Sequence, residues 1–136
     1  MSLDDIPVRV VAPDPGLSGN AWPLMLEIVQ MVRNLLESGE TSAIDLSALP
    51  LTPADKAWLK DRLGGGQIHV ELQAEGLSTL DETACPGVWW VTHHDAQGRV
   101  LSELIEIAQV PELVKAHPDD IRMGCEYLEG VVSELS

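Results

Sequence analysis

The fold is decided by the stretch PGVWWVTHHDAQGRVLSELIEIA, residues 86–108. Aromatic and β-branched residues are concentrated in two runs, 88–94 and 100–108, as is typical of β-strands. Between these runs, residues 95–98 (DAQG) have the composition of a tight turn, in which Gly98 is free to adopt a positive φ. The stretch therefore predicts a hairpin of two antiparallel strands.

Three further segments are predicted to be strands. Residues 67–73 (QIHVELQ) alternate between apolar and polar side chains, the pattern of a strand with one buried face. Residues 77–84 and the short apolar run 41–46 complete the set. Within residues 100–108 the alternation slips near Glu103–Leu104, which predicts a β-bulge at that point.

A long helix precedes the strands. Asn20 as the N-cap and Gly39 after the last turn delimit it to residues 21–38. Its apolar side chains cover an arc that is wider than packing on one sheet face requires. The excess apolar surface is therefore expected to meet another element, a second copy or a client protein.

Two more helices are predicted. Thr52 and Asp55 have the pattern of a capping box, and the helix that they open ends at Gly64. Residues 110–135 contain a short helical turn followed by a longer helix. The apolar stripe of this last helix is expected to pack in the core, and it consists of Ile121, Cys125, Leu128 and Val132.

The order of elements is thus α-β-α-β-β-β-β-α, which indicates an α+β fold. We expect a mixed, mostly antiparallel sheet of about five strands, with helices packed mainly on one face. The second helix can form a right-handed crossover between the first two strands. Residues 1–136 are expected to form a single domain, in which residues 1–20 are an irregular N-terminal segment.

Charge restricts the partners of the chain. The net charge is −14, from 22 acidic and 8 basic side chains, and the basic ones are scattered. No basic face for nucleic acid or for an anionic membrane can be built from them. No apolar run approaches the ~20 residues of a membrane span, and the acidic start MSLDDIPVRVV lacks the features of a signal peptide. We therefore expect a cytoplasmic protein.

The candidate contact residues cluster in the strand 88–94. Trp89 and Trp90 point to opposite faces of the sheet, so either both rings are covered or one lies on an open face as an interface anchor. His93 and His94 follow near the hairpin tip, where solvent exposure is expected. The hypothetical partner-binding set adds two flexible methionines of the first helix and comprises Trp89, Trp90, His93, His94, Met25 and Met31.

A metal or iron–sulfur carrier is the alternative hypothesis. Its ligands would come from Cys85, His93, His94 and Cys125, with His69 or His117 as additions. The spacing does not match a zinc motif, and adjacent strand residues point apart, so we expect no metal site and no cofactor. The sequence also contains no arrangement typical of a catalytic site, and an enzyme is not expected.

Several segments together resemble a known family. They are AWPLMLEIVQMVRNLLESGE, IDLSALPLTPADKAWLKDRLGGG, PGVWWVTHHDAQGRVLSELIEIAQVPE and HPDDI, in this order over residues 20 to 121. They are similar to the hydrogenase expression/formation proteins of the HupH/HyaF type, and in particular to the conserved HupH C-terminal-type domain.

The resemblance implies an accessory role in the maturation of a nickel–iron hydrogenase. It implies binding to the precursor of the iron–sulfur small subunit or to other maturation proteins, and it brings no catalytic residue. Together with the wide apolar arc and the tryptophan strand, it leads to the hypothesis of a non-catalytic chaperone or scaffold. A homodimer through the first helix is an open alternative.

Overall fold

The computed structural model describes residues 16–136, where three helices and five strands follow one another in the predicted order. Residues 1–15 of the predicted irregular segment lie outside the described residues. Short 3₁₀ turns, Leu46–Ala48 and Glu112–Val114, follow β1 and precede α3. The elements are α1 (Ala21–Ser38), β1 (Ser42–Asp45), α2 (Pro53–Leu63), β2 (His69–Gln73), β3 (Leu77–Glu82), β4 (Val88–His94), β5 (Val100–Ile107) and α3 (Pro118–Leu135).

The five strands form one sheet in the order β1-β5-β4-β3-β2. The predicted α+β class and the predicted hairpin of β4 and β5 are confirmed. All four neighbouring pairs in the described sheet are antiparallel, where a mixed sheet was expected. The reason is that β1 and β2, which run in the same direction, lie at opposite edges, so the crossover through α2 spans the whole sheet instead of joining neighbours.

The β-bulge lies at the hairpin end of β5. The partner of His93 is Ser102, whereas that of His94 is Val100, so Leu101 is the extra residue. The predicted position near Glu103–Leu104 is therefore wrong. Glu103 keeps the regular alternation, since it pairs with Thr92 in unbroken register. Its carboxylate lies on the face of the sheet that packs against α1 and α2, where it accepts a hydrogen bond from Trp90 Nε1 (3.2 Å) and pairs with Lys56 (3.3 Å).

The main core lies between the sheet and the helices α1 and α2. Helix α1 ends at Gly39, whose φ of 76° is the left-handed conformation that favours glycine. Asn20 lies at the predicted N-cap position, but its side chain does not cap α1, because its amide donates to the carbonyl of Pro50 (3.0 Å). The buried core side chains are Ala21, Leu24, Ile28, Ile44, Leu46, Leu59, Leu63, Val88, Trp90, Ile105 and Ile107.

The predicted capping box of α2 is confirmed and extends to the N-terminal segment. The fully buried carboxylate of Asp55 accepts hydrogen bonds from the Thr52 amide (2.8 Å) and from the amide and hydroxyl of Ser18 (3.0 and 2.5 Å). Burial alone would raise the pKa of Asp55, but these hydrogen bonds outweigh it and lower the pKa to about 2. Asp55 therefore links the start of α2 to the segment that leads into α1.

Helix α3 stands apart from the core. None of its residues is buried, although its sequence is amphipathic. The expectation that Cys125 and its stripe pack in the core is therefore wrong, and Cys125 is exposed. An amphipathic pattern requires that a face be covered, but it does not specify by which element. Among residues 16–136, no helix is long and apolar enough to cross a membrane.

Candidate functional site: the open face of the sheet

Both tryptophans of β4 are buried, on opposite faces of the sheet. Trp90 (3% exposed) packs in the main core, where the ammonium of Lys60 lies 5.1 Å from the centre of its ring. Trp89 (5% exposed) lies on the other face and donates from Nε1 to the carbonyl of Ala108 (3.0 Å). Of the two alternatives for these rings, the structure has the one in which both are covered. Neither ring therefore provides exposed apolar surface for a partner.

The face of the sheet that α1 and α2 do not cover carries a second apolar cluster, which we call the open face. It is built by alternate residues of four strands, because β-strand side chains alternate between faces. The cross-strand register pairs Leu80 with both Val70 and Val91, and Val91 with Leu104. The cluster has a buried centre of Leu80, Trp89 and Val91, bordered by the half-buried Val70, Leu72 and Leu104.

A groove of about 610 Å³ runs between this cluster and the segment that leads into α3. We call it the open-face groove. Its apolar side chains come from β4, from β5 and from the 3₁₀ turn Glu112–Val114. Its polar side chains are histidines, glutamates and a lysine. The residues that define it are Val91, His93, Leu104, Glu106, Leu113 and His117.

His93 and His94 occupy different environments because of the bulge between them. The Nδ1 atom of His93 lies 2.8 Å from the Ser78 hydroxyl on β3, and the ring contributes to the open-face groove. His94 donates from Nδ1 to the carbonyl of Leu77 (3.0 Å). Both rings are half-buried, where solvent exposure was expected, because these cross-strand hydrogen bonds hold them against the sheet. Only His93 reaches the candidate site.

The other predicted contact residues lie away from the groove. Met25 and Met31 of α1 are half-buried against the main core. The wide apolar arc of α1 does leave surface uncovered, but at residues of its outer side, including Trp22 (60% exposed) and Leu36 (80% exposed).

The residues proposed for the metal-carrier alternative do not converge on one site, since of the two additions only His117 lies near His93, in the open-face groove, and His69 lies on β2. Cys85 is exposed in the turn before β4, and His93 and His94 end that strand, so roughly 20 Å of extended chain separates them. Cys125 is exposed in the middle of α3. Within residues 16–136, no three His, Cys, Asp or Glu side chains converge in a way that could hold a metal ion.

A charged cluster lies at the opposite edge of the sheet, on β2 and β3. The ring of His69 contacts the Glu71 carboxylate through Nε2 (2.9 Å) and the Asp81 carboxylate through Nδ1. Hydrogen bonds to Glu71 and then to Asp81 raise the pKa of His69 above its usual value, since they favour the imidazolium. Glu71 lies two residues further along β2, and Asp81 is the residue opposite His69 on β3. The sequence alone did not reveal that these three side chains meet.

Known proteins share this architecture. The solved structure of the hydrogenase expression protein HupH from Thiobacillus denitrificans ATCC 25259 is 52% identical and superposes with a TM-score of 0.83 over 87% of this chain and 98% of that one. This chain therefore has the same α+β fold as that hydrogenase expression protein. The family model for the HupH hydrogenase expression protein, C-terminal conserved region, matches residues 19–135. The chain therefore belongs to this family, and the resemblance found in the sequence is confirmed.

Curated relatives carry related names. The hydrogenase expression/formation protein HoxQ of Azotobacter vinelandii is 28% identical over 118 residues, which are 85% of this chain and 42% of that protein. The hydrogenase-1 operon protein HyaF of Escherichia coli (strain K12) is 31% identical over 133 residues, 96% of this chain and 46% of that protein. The chain thus spans less than half the length of these curated relatives.

Proposed function

We propose that this chain is a non-catalytic accessory protein of hydrogenase maturation, which binds the precursor of a hydrogenase subunit in the open-face groove. The names of its relatives support a role in hydrogenase maturation. The observation that carries the binding role is the groove itself, an apolar depression on the sheet face that α1 and α2 leave free. Grooves of this kind are common sites for extended or helical peptide segments.

The chemistry of the groove favours a particular class of segment. Val91 and Leu104 provide an apolar floor, and the half-exposed Leu113 provides the opposite wall. The acidic side chains at the edge are Glu106 and Glu112, the latter paired with Lys115 at 3.4 Å. Because the whole chain carries a charge of −14, an apolar segment with neutral or basic flanks would be attracted and an acidic one repelled.

The residues predicted from the sequence contribute to this proposal in different ways. His93 offers a polar contact at the edge of the groove. Trp89 supports the floor from its buried position, whereas Trp90, His94, Met25 and Met31 contribute only by keeping the sheet and α1 in place. The iron–sulfur small-subunit precursor is the partner that we propose, and other maturation proteins are the alternative partners.

A pair of matched variants tests the groove. Leu113→Glu places a charge on its apolar wall, whereas Leu101→Glu changes a similarly exposed leucine in the bulge outside the groove. We expect Leu113→Glu to weaken binding of the purified small-subunit precursor by roughly tenfold or more, and Leu101→Glu to leave it unchanged. Biolayer interferometry gives both affinities.

Two outcomes would contradict parts of the proposal. Equal binding by the wild type and by both variants would remove the groove as the contact site. The small-subunit precursor could fail to bind while another purified maturation protein binds and Leu113→Glu weakens that binding. This result would retain the groove as the contact site and replace the proposed partner.

A further inference from the structure

Helix α3 carries an apolar stripe that nothing in the described part of the chain covers. The stripe follows the spacing i, i+4, i+7, i+11, i+14, which places its members on one face of the helix. The three side chains at its centre and end, Leu128, Val132 and Leu135, are 61%, 65% and 83% exposed. The α3 stripe consists of Ile121, Cys125, Leu128, Val132 and Leu135.

An exposed helix of this composition requires a partner. Gly124 and Gly130 lie within α3, and each costs about 1 kcal/mol of helix stability relative to alanine. Most of the stability of helices in proteins comes from packing of their amphipathic face and not from intrinsic helix propensity. Packing of the α3 stripe against another apolar surface would offset this cost.

Helix α1 carries a second uncovered stripe with the same spacing and length. Both helices have 18 residues, and both stripes cover four turns. The α1 stripe lies beside the buried side of the helix, and the ring of its first member, Trp22, packs edge-on against Trp58 of α2 with ring centroids 6.4 Å apart. It consists of Trp22, Leu26, Val29, Arg33 and Leu36, and its four apolar members are 46–80% exposed.

The charges of the two stripes are complementary. The α1 stripe contains one cation, Arg33, which forms no ion pair within residues 16–136. The α3 stripe is bordered by the carboxylates of Asp120 on one side and Glu129 on the other, and the guanidinium of Arg122 beside Glu129 is already paired with Asp119 (2.7 Å). Contact between two α3 helices would bring acidic borders together, whereas contact between α1 and α3 brings the cation to an acidic border.

From these features we infer that two copies of this chain form a symmetric dimer, in which the α3 stripe of each copy packs on the α1 stripe of the other. Two-fold symmetry makes every such contact occur twice. The inference rests on α1 and α3 alone and does not depend on the role in hydrogenase maturation.

The area of the two stripes is sufficient for a stable dimer. Burying one large apolar side chain removes roughly 60–120 Å² from water, as ~1.5–3 kcal/mol at ~25 cal/mol per Å² implies. Each copy contributes eight apolar side chains that are 46–83% exposed, so the sixteen of a symmetric dimer together bury roughly 600–1,200 Å². Since about 60% of an interface is apolar, the total is roughly 1,000–2,000 Å², which overlaps the range of specific dimers.

Sedimentation velocity of the intact chain over a concentration series tests whether the dimer exists. We expect a reversible monomer–dimer equilibrium that strengthens with salt, because screening weakens the repulsion between two copies of charge −14. Leu128→Glu and Leu26→Glu should each raise the dissociation constant by roughly tenfold or more. Ser133→Glu, on the polar side of α3, is the matched control and should change it little. A wild type that stays monomeric at all concentrations would overturn the inference.

Cross-linking identifies which helices meet. Val29→Cys and Leu128→Cys lie at the centres of the two stripes and are introduced separately into a chain that carries Cys85→Ser and Cys125→Ser. When the two variants, distinguished by mass, are mixed and oxidised, the inference requires a disulfide between them. Cross-links confined to two copies of the same variant would mean like-with-like helix contacts and would overturn it. Because both positions are exposed, the variants are expected to retain the fold, which circular dichroism verifies.

Discussion

Replacing Asp55 with asparagine should destabilise the protein by about 2 kcal/mol at neutral pH. The carboxylate is fully buried and accepts hydrogen bonds from the Thr52 amide and from the amide and hydroxyl of Ser18. Asparagine keeps the shape and one acceptor oxygen, but it removes the charge and directs an amide group towards one of these donors. The substitution therefore isolates the contribution of the ionised form.

The magnitude follows from the pKa. Folding lowers the pKa of Asp55 from 3.8 to about 2. One pKa unit corresponds to about 1.4 kcal/mol, so ionised Asp55 stabilises the folded state by about 2 kcal/mol relative to the neutral form. Because the folded-state pKa is lowered, this contribution is complete above the unfolded-state pKa. It is lost as the pH falls from about 4 towards 2.

Urea unfolding of the wild type and of Asp55→Asn between pH 7 and pH 2 measures this difference directly. The two free energies of unfolding should differ by about 2 kcal/mol at pH 7 and converge near pH 2. Asp61→Asn changes an exposed carboxylate of the same helix and should alter stability by less than about 0.5 kcal/mol. A difference below that value for Asp55→Asn, or one that does not shrink with acidification, would refute the assigned role of its hydrogen bonds.

Three further predictions test other parts of the fold. Trp89→Phe removes the buried hydrogen bond to the Ala108 carbonyl and should lower the unfolding free energy by about 1–3 kcal/mol in urea, whereas an unchanged midpoint would contradict the burial of that bond. The pKa of His69, followed by its NMR chemical shifts, should lie above 6.5, and Asp81→Asn should lower it. The contribution of protonated His69 to stability is present at acidic pH and is lost as the pH rises through the raised pKa. Gly39→Ala places a Cβ on a left-handed residue and should cost about 1 kcal/mol in thermal unfolding, so a neutral effect would speak against that conformation.

Local signals in the sequence predicted much of the fold. The capping box of Thr52 and Asp55 and the turn that ends in Gly98 depend on residues a few positions apart, and both are present. Asn20 fits an N-cap equally well by sequence, but its amide binds the carbonyl of Pro50, thirty residues away. A contact between residues so far apart in the chain cannot be recognised from a local sequence pattern.

The candidate site depends almost entirely on long-range contacts. His93 was selected from the sequence, but the groove forms only when β4, β5 and the 3₁₀ turn come together, so Leu104 and Leu113 could not be connected with it. The stripe around Cys125 was recognised as apolar and assigned to the core, since periodicity gives the direction of a face but not what covers it. The bulge was misplaced because both faces of the sheet are apolar around Leu104–Ile105.

The pairing of β1 with β5 has a consequence for the order in which the chain folds. Residues 42–45 pair with residues 104–107, whereas the other three pairs, β2–β3, β3–β4 and β4–β5, each join strands that are consecutive along the chain. During synthesis, β1 and the helix before it must therefore wait until about sixty further residues have left the ribosome. Because distant contacts form more slowly than local ones, the four-stranded meander is expected to assemble first and to serve as the template on which the N-terminal elements dock.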